Sequence, residues 1–166
     1  IDVLKKMGGK IKVKKTKTVS GEDVGNIKVS YSLLKAIEIK ATAAPYLIDE
    51  YPILSIAASQ AKGVTVMKGL SELRHKESDR IKSIITNLSK IGFNVISKKD
   101  DISIKGSSEI KIVNQKKIKT YGDHRIAMSF VILSLLYKNK LTIDDESCIS
   151  ISYPDFKKHL KRLSTY

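Results

Sequence analysis

A helix–glycine–strand signal occurs twice in this sequence, 84 positions apart: D-V-L-K-K-M-G-G-K-I-K-V from Asp2 is echoed by N-L-S-K-I-G-F-N-V from Asn87, setting Leu4 over Leu88 and Gly8 over Gly92. A second echo links A-K-G-V-T-V from Ala61 to Y-K-N-K-L-T-I from Tyr137. Each unit reads helix, strand, strand, helix, strand. A unit of that size cannot bury its own apolar face, so repeats must stack on one another around a shared core. The expected fold class is mixed α/β, with residues 1–166 forming a single domain.

Two segments say where the helices lie. Residues 51–61 (Y-P-I-L-S-I-A-A-S-Q-A) and 126–137 are apolar on most sides, which places those helices inside, with sheets around them. Pro52 is admissible in a first helical turn. A third helix, 76–91, is amphipathic, with Ile81, Ile84, Ile85 and Leu88 at 3.6-residue spacing and Gly92 as its stop. Strands are expected around 11–13, 27–31, 36–39, 64–67, 93–96, 102–104, 141–143 and 149–152. Residues 110–113 and Ile118 suggest another hairpin. Residues 20–26 read as a polar connection, 43–45 as a break, and 154–163 as a basic final helix.

The balance of 31 Lys+Arg against 17 Asp+Glu, a formal charge of +14, invites a nucleic-acid reading. Its make-up argues against one. Four of the 31 are Arg, leaving 27 Lys scattered along the chain, and aromatic residues are only 6%. Phosphate tracking needs basic charge gathered on one face, and base stacking needs aromatics beside it. No apolar run approaches the length of a membrane span. The single cysteine, Cys148, excludes an internal disulfide and fits a reducing cytoplasm. His75, His124 and His159 lack metal-ligand spacing, and neither GxGxxG nor GxxxxGK[ST] is present. Neither a metal site nor a dinucleotide or nucleoside triphosphate fold is expected.

Three polar clusters stand at the mouths of these helices. Asp49 precedes the helix at 51; it reads either as a first-turn acid satisfying free N–H groups or as a carboxylate for a hydroxyl or a proton. In residues 72–80, six of nine positions are charged. Ser78 or Asp79 can cap the helix there, and a solvated start with local ion pairs is the plain reading. Arg80, however, opposes the helix dipole unless it faces an anion drawn to the same N-terminus. Lys76, Glu77 and Arg80 can converge on one side of that turn. A point charge, a planar fork and a carboxylate suit an anionic substrate that needs a proton moved. The third cluster, Y-G-D-H-R at 121–125, sets Asp123, His124 and Arg125 before the helix at 126. Asp123 as a cap and His124 as a structural hydrogen bonder are the plain alternatives.

Taken together, I-D-E-Y-P-I-L, E-L-R-H-K-E-S-D-R and Y-G-D-H-R-I-A-M-S-F, in this order, closely resemble the C-terminal part of the EPSP synthase (3-phosphoshikimate 1-carboxyvinyltransferase) family. The resemblance runs from the opening helix to Y-P-D-F near the end. It implies two globular halves built from repeated βαβαββ units with helices enclosed by sheets. It implies transfer of the enolpyruvyl group of phosphoenolpyruvate to the 5-hydroxyl of shikimate 3-phosphate, without metal or organic cofactor. Residue by residue, it implies that Asp49 contacts the shikimate hydroxyls or acts as base, and that Lys76 lies at the reacting hydroxyl. Glu77 would move a proton at the methylene group, Arg80 and Arg125 would clamp phosphoenolpyruvate, and Asp123 and His124 would support them. Many members carry a further lysine just before this last block, where Ser150-Ile151-Ser152 stands here.

The family chain is over twice this length, so these 166 residues are expected to be the C-terminal half, beginning at Ile1 and lacking the N-terminal half. Such a fragment would be inactive alone and would need a separate N-terminal half as partner. Other readings are a non-catalytic remnant of the same scaffold, or a basic module binding anions or nucleic acid through residues 10–17.

Overall fold

The computed structural model describes residues 1–107, 109, 112, 114–137 and 140–164. Helix α1 (Asp2–Lys6) leads into a long antiparallel hairpin, β1 (Lys10–Val19) and β2 (Glu22–Ser30). Strand β3 (Glu38–Ile39), a 3-10 turn (Ala41–Ala43), α2 (Ala44–Leu47), α3 (Tyr51–Ser59) and β4 (Gly63–Met67) follow. After a second 3-10 turn (Ser71–His75) come α4 (Arg80–Ile91) and the hairpin β5 (Asn94–Lys98)–β6 (Asp101–Gly106). The chain ends with β7 (Lys116–Ile118), α5 (His124–Ser134), β8 (Leu141–Ile143), α6 (Ser147–Ser152) and α7 (Phe156–Ser164).

From β3 to β6 the order is βαβαββ, and its strands form one four-stranded sheet, β3-β4-β6-β5. β3 and β4 pair in parallel across α3, whereas β6 joins β4 antiparallel. On either side stand two half-units. The hairpin β1–β2 precedes, and the parallel pair β7–β8, crossed over by α5, follows. α3 packs on α5 and β6, and α4 on β5 and β7. One core cluster holds Tyr51, Leu54, Met67, Ile84, Leu88, Ile102, Ile104, Ile126 and Phe130. A smaller cluster of Ala127, Cys148, Ile149 and Phe156 seats α6 and α7 on α5.

The repeated glycines serve the same purpose in both units. Gly92 has φ +117°, and the N–H groups of Gly92 and Phe93 both return to the Leu88 carbonyl. Gly8 has φ +95° after α1. A left-handed residue there closes the helix and turns the chain into a strand, which a side chain would strain.

Several sequence expectations shift. Helix α4 starts at Arg80 and not at 76, because the Asp79 side chain accepts the Lys82 N–H and leaves Lys76–Ser78 outside the helix. Residues 149–152 are not a strand but the end of α6. Cys148 and Ile149 are adjacent and both buried while Ile151 is 86% exposed, a helical rather than an alternating pattern. The expected break at 43–45 is a turn running into α2. The connection 20–26 shrinks to the tight turn Ser20–Gly21, since β2 begins at Glu22. Ile118 lies in a strand parallel to β8, not in a hairpin. Of its suggested partner, residues 110, 111 and 113 lie outside the described residues.

Candidate active site

Arg80 is the first residue of α4, and it is fully buried. Each of its guanidinium nitrogens reaches a carboxylate. Nε donates to Asp123 Oδ2 at 2.8 Å, Nη1 to Asp49 Oδ1 at 2.9 Å, and Nη2 to Glu77 Oε2 and, at 3.4 Å, Asp123 Oδ1. Burial works against a charged guanidinium, but its bonds to Asp123 and the charges of Asp123 and Glu77 outweigh that and hold Arg80 above its ordinary pKa. The cation at a helix N-terminus is thus explained by its anions, although here the anions belong to the protein.

Asp123 has two roles at once. It caps α5, accepting the N–H groups of Arg125 at 2.9 Å and Ile126 at 3.3 Å, and it binds Arg80. Its burial would raise its pKa, but Arg80 and these N–H groups hold it below the usual carboxylate range. The cap reading and the site reading are therefore both true of one residue. Asp49 differs. The cap position of α3 is Glu50, which makes no side-chain cap bond, and the Asp49 carboxylate turns toward cations instead. It lies 2.9 Å from Arg80, 3.6 Å from Arg125 Nη2 and 3.9 Å from Lys76 Nζ.

The remaining expected residues close the cluster. Glu77 bridges Arg80 and His124, whose Nδ1 is 4.0 Å from Glu77 Oε1. Arg125 Nη1 donates to the Asp49 carbonyl at 2.9 Å and to Glu50 Oε1 at 3.3 Å. Asp49, Lys76, Glu77, Arg80, Asp123, His124 and Arg125 are thus gathered where the starts of α3, α4 and α5 meet. Beside Asp49 and Arg125 opens a cavity of about 260 Å³, walled by Ile53, Met128, Ile132 and Tyr153. Cations and carboxylates stand side by side along this wall, with Arg80 buried behind it and the Lys76 and Arg125 side chains partly exposed. Among the described residues, no group of three His, Cys, Asp or Glu could hold a metal ion, and no helix is long and apolar enough to cross a membrane.

Three contributors were not singled out from sequence. Ser78 donates to Asp123 Oδ2 at 3.1 Å, and Glu50 holds Arg125. Arg74 bonds Asp79 at 3.3 Å, Asp100 at 3.0 Å and the Lys99 carbonyl at 2.7 Å, anchoring the α4 cap to the β5–β6 turn. The scarcity of Arg is the signal that marks Arg74. The sequence marks Ser78 only as an alternative cap for α4, a place that Asp79 takes. Ile151, where the extra lysine of many members would stand, is exposed on the last turn of α6.

The βαβαββ sheet unit, with buried helices opening on a shared cluster of Arg, Lys and carboxylates, has the fold seen in enolpyruvyl transferases. The enolpyruvyl transferase NikO of Streptomyces tendae superposes on 98% of this chain with TM-score 0.65 at 16% identity, a likeness of fold alone. EPSP synthase from Acinetobacter baumannii superposes more closely, at TM-score 0.85 and 33% identity over 97% of this chain. The profile of the family EPSP synthase (3-phosphoshikimate 1-carboxyvinyltransferase) matches residues 1–160, and the chain belongs to that family of enzymes. The 3-phosphoshikimate 1-carboxyvinyltransferases of Petrotoga mobilis and Persephonella marina are 43% and 44% identical over 98% and 96% of this chain. The chain spans about 37% of the length of these two relatives.

Proposed function

We propose that this chain is the C-terminal portion of a 3-phosphoshikimate 1-carboxyvinyltransferase, and that the cluster at the starts of α3, α4 and α5 is one wall of its active site. The reading rests on Arg80 and Arg125, held at two helix N-termini and facing the carboxylates of Asp49 and Glu77. Phosphoenolpyruvate offers a phosphate and a carboxylate, and each guanidinium fork can grip one of them. Glu77, beside His124, delivers a proton to the methylene carbon. The 5-hydroxyl oxygen of shikimate 3-phosphate bonds to the adjacent carbon, and its proton passes to Asp49, with Lys76 close to the same oxygen. From the tetrahedral intermediate, phosphate departs and the methyl group returns a proton, leaving the enolpyruvyl ether.

One wall cannot position two substrates, and positioning supplies much of the barrier reduction. The 166-residue chain alone is therefore expected to release no phosphate from the substrate pair in a coupled assay. Turnover should appear only when a separate N-terminal half is added, and Glu77→Gln or Arg125→Ala should then abolish it. Appreciable turnover by the chain alone would sink the one-wall reading. Undiminished turnover in those variants would remove the assigned roles.

A further inference from the structure

Arg80 is not alone on α4 in holding the chain that enters α5. Asn87 follows it by two helical turns less about 20°, so both lie on one face of α4, about 10 Å apart along its axis. Both are fully buried. Asn87 Nδ2 donates to the Lys119 carbonyl at 2.8 Å, and Asn87 Oδ1 accepts the Lys119 N–H at 3.0 Å. A side-chain amide offers the same donor and acceptor as a backbone unit, so these two bonds act as one more rung beyond the end of β7. Asp144, just past β8, holds the next residue from the side of β8. Its Oδ1 accepts the Thr120 N–H at 2.9 Å, while its own N–H donates to the Ile118 carbonyl at 3.0 Å.

Between these pins and Asp123 runs a strained turn. The Asp123 N–H donates to the Thr120 carbonyl at 3.1 Å, and the two residues between have φ of +57° (Tyr121) and +72° (Gly122). Glycine takes up such a backbone freely, whereas a tyrosine does so against its own side chain. A conformation of that kind persists only where its surroundings over-determine it. Here Asn87 and Asp144 fix the chain before the turn, and Arg80 fixes Asp123 after it. The turn opens directly onto His124 and Arg125. Where Thr120 is held therefore decides where His124 meets Glu77 and where Arg125 meets Asp49.

We infer that Asn87 and Asp144 are positioning residues for the site: by clamping Lys119 and Thr120 they set Asp123, His124 and Arg125 against their partners on the other two helix starts. The chemistry they serve rests on the function proposed above, whereas the clamp is testable without turnover.

Heteronuclear NMR of the 166-residue chain is that test, with the Arg80 Nε–H and the His124 ring as reporters of the site. Asp144→Ala, at an exposed position, should shift both signals. Asp144→Asn keeps the accepting oxygen and should leave both where they are. Asn87→Ala removes two bonds and should move the same signals further. Leu88→Ala, at the next position of α4 and also fully buried, should lower the melting temperature with the two signals in place. Should Asn87→Ala fail to fold, the two Asp144 variants decide alone. Melting temperatures that fall in Asn87→Ala and Asp144→Ala with both signals unmoved would overturn the inference. Shifts in Asp144→Asn as large as in Asp144→Ala would overturn it too. With a separate N-terminal half added, Asp144→Ala should lower kcat by about tenfold or more, and Asp144→Asn by less than about twofold. Equal kcat in the two would overturn the inference even where the signals shift. A wild-type mixture without turnover would count against the proposed function and leave the NMR result to decide the clamp.

Discussion

Two copies of one hairpin meet opposite fates in this chain. The inward positions of β5–β6, Ile102 and Ile104, are sealed between β4 and the helices, while the same positions of β1–β2, Ile27 and Val29, face solvent. Both ribbons alternate apolar and polar residues and both close in a tight turn. Local sequence therefore makes the hairpin, and the neighbour decides whether it is core. A lone two-stranded ribbon is marginal in water, so the first hairpin draws little stability from its own apolar side chains.

The comparison is broken most severely by placing a charge at matched positions. Ile104→Asp buries a carboxylate at a completely sealed site, and the variant is expected to lose cooperative unfolding altogether. Val29→Asp places the same charge at a 68% exposed site, and the variant should unfold as the wild type does. Circular dichroism melts of the two variants decide it. Equal damage in both would show that the hairpins are not equivalents.

Next in size is the second tie between the complete unit and its neighbour. Asp49 and Arg80 come from the complete unit and Asp123 from the following half-unit, so this ion cluster joins the same pieces that the core joins. Arg80→Ala leaves Asp123 buried without its cation and should cost about 3–5 kcal/mol, read from the denaturant midpoint. Asp123 adds a pH signature. Its folded pKa lies below its unfolded one, so its stabilisation is complete above the ordinary carboxylate value of about 3.9 and is lost as pH falls through the lowered folded value. Asp123→Asn should therefore lower stability at neutral pH and flatten the decline in acid. A decline as steep as in the wild type would place the acid sensitivity elsewhere.

Elements with a local cause were legible in the sequence. The repeat, the enclosed helices, the glycine stops and most strands follow from periodicity and turn chemistry, and the residues expected in the site do converge. What was misread had a tertiary cause. The pattern Ile149–Ile151 alternates like a strand, yet only Ile149 finds cover, on Ala127 and Phe156, so the segment is helical. Lys76 and Glu77 have good helix propensity, but the Asp79 cap excludes them, and that leaves Glu77 able to reach back to Arg80. Asp49 reads as a cap, but its cations come from α4 and α5, distant in sequence.

A smaller effect separates the helices that lead into the two hairpins. α4 starts on the Asp79 cap, whereas α1 has no side-chain cap at Ile1. Asp79→Ala should cost about 1 kcal/mol, the usual worth of such a cap. Because Asp79 also meets Arg74, which grips the β5–β6 turn, hydrogen exchange should quicken at the start of α4 and in that turn together. Quickening confined to α4 would detach the turn from the cap.

The smallest expected effect is the most discriminating. Ile104→Ala removes side-chain atoms from a sealed site and should cost about 2–5 kcal/mol. Val29→Ala, at the matched position, should stay within about 0.5 kcal/mol. Denaturant midpoints of the two variants measure the contrast, since Val29 is 68% exposed and Ile104 completely buried. If Val29→Ala costs as much as Ile104→Ala, the first hairpin depends on its apolar face as the second does, and exposure is not what separates them.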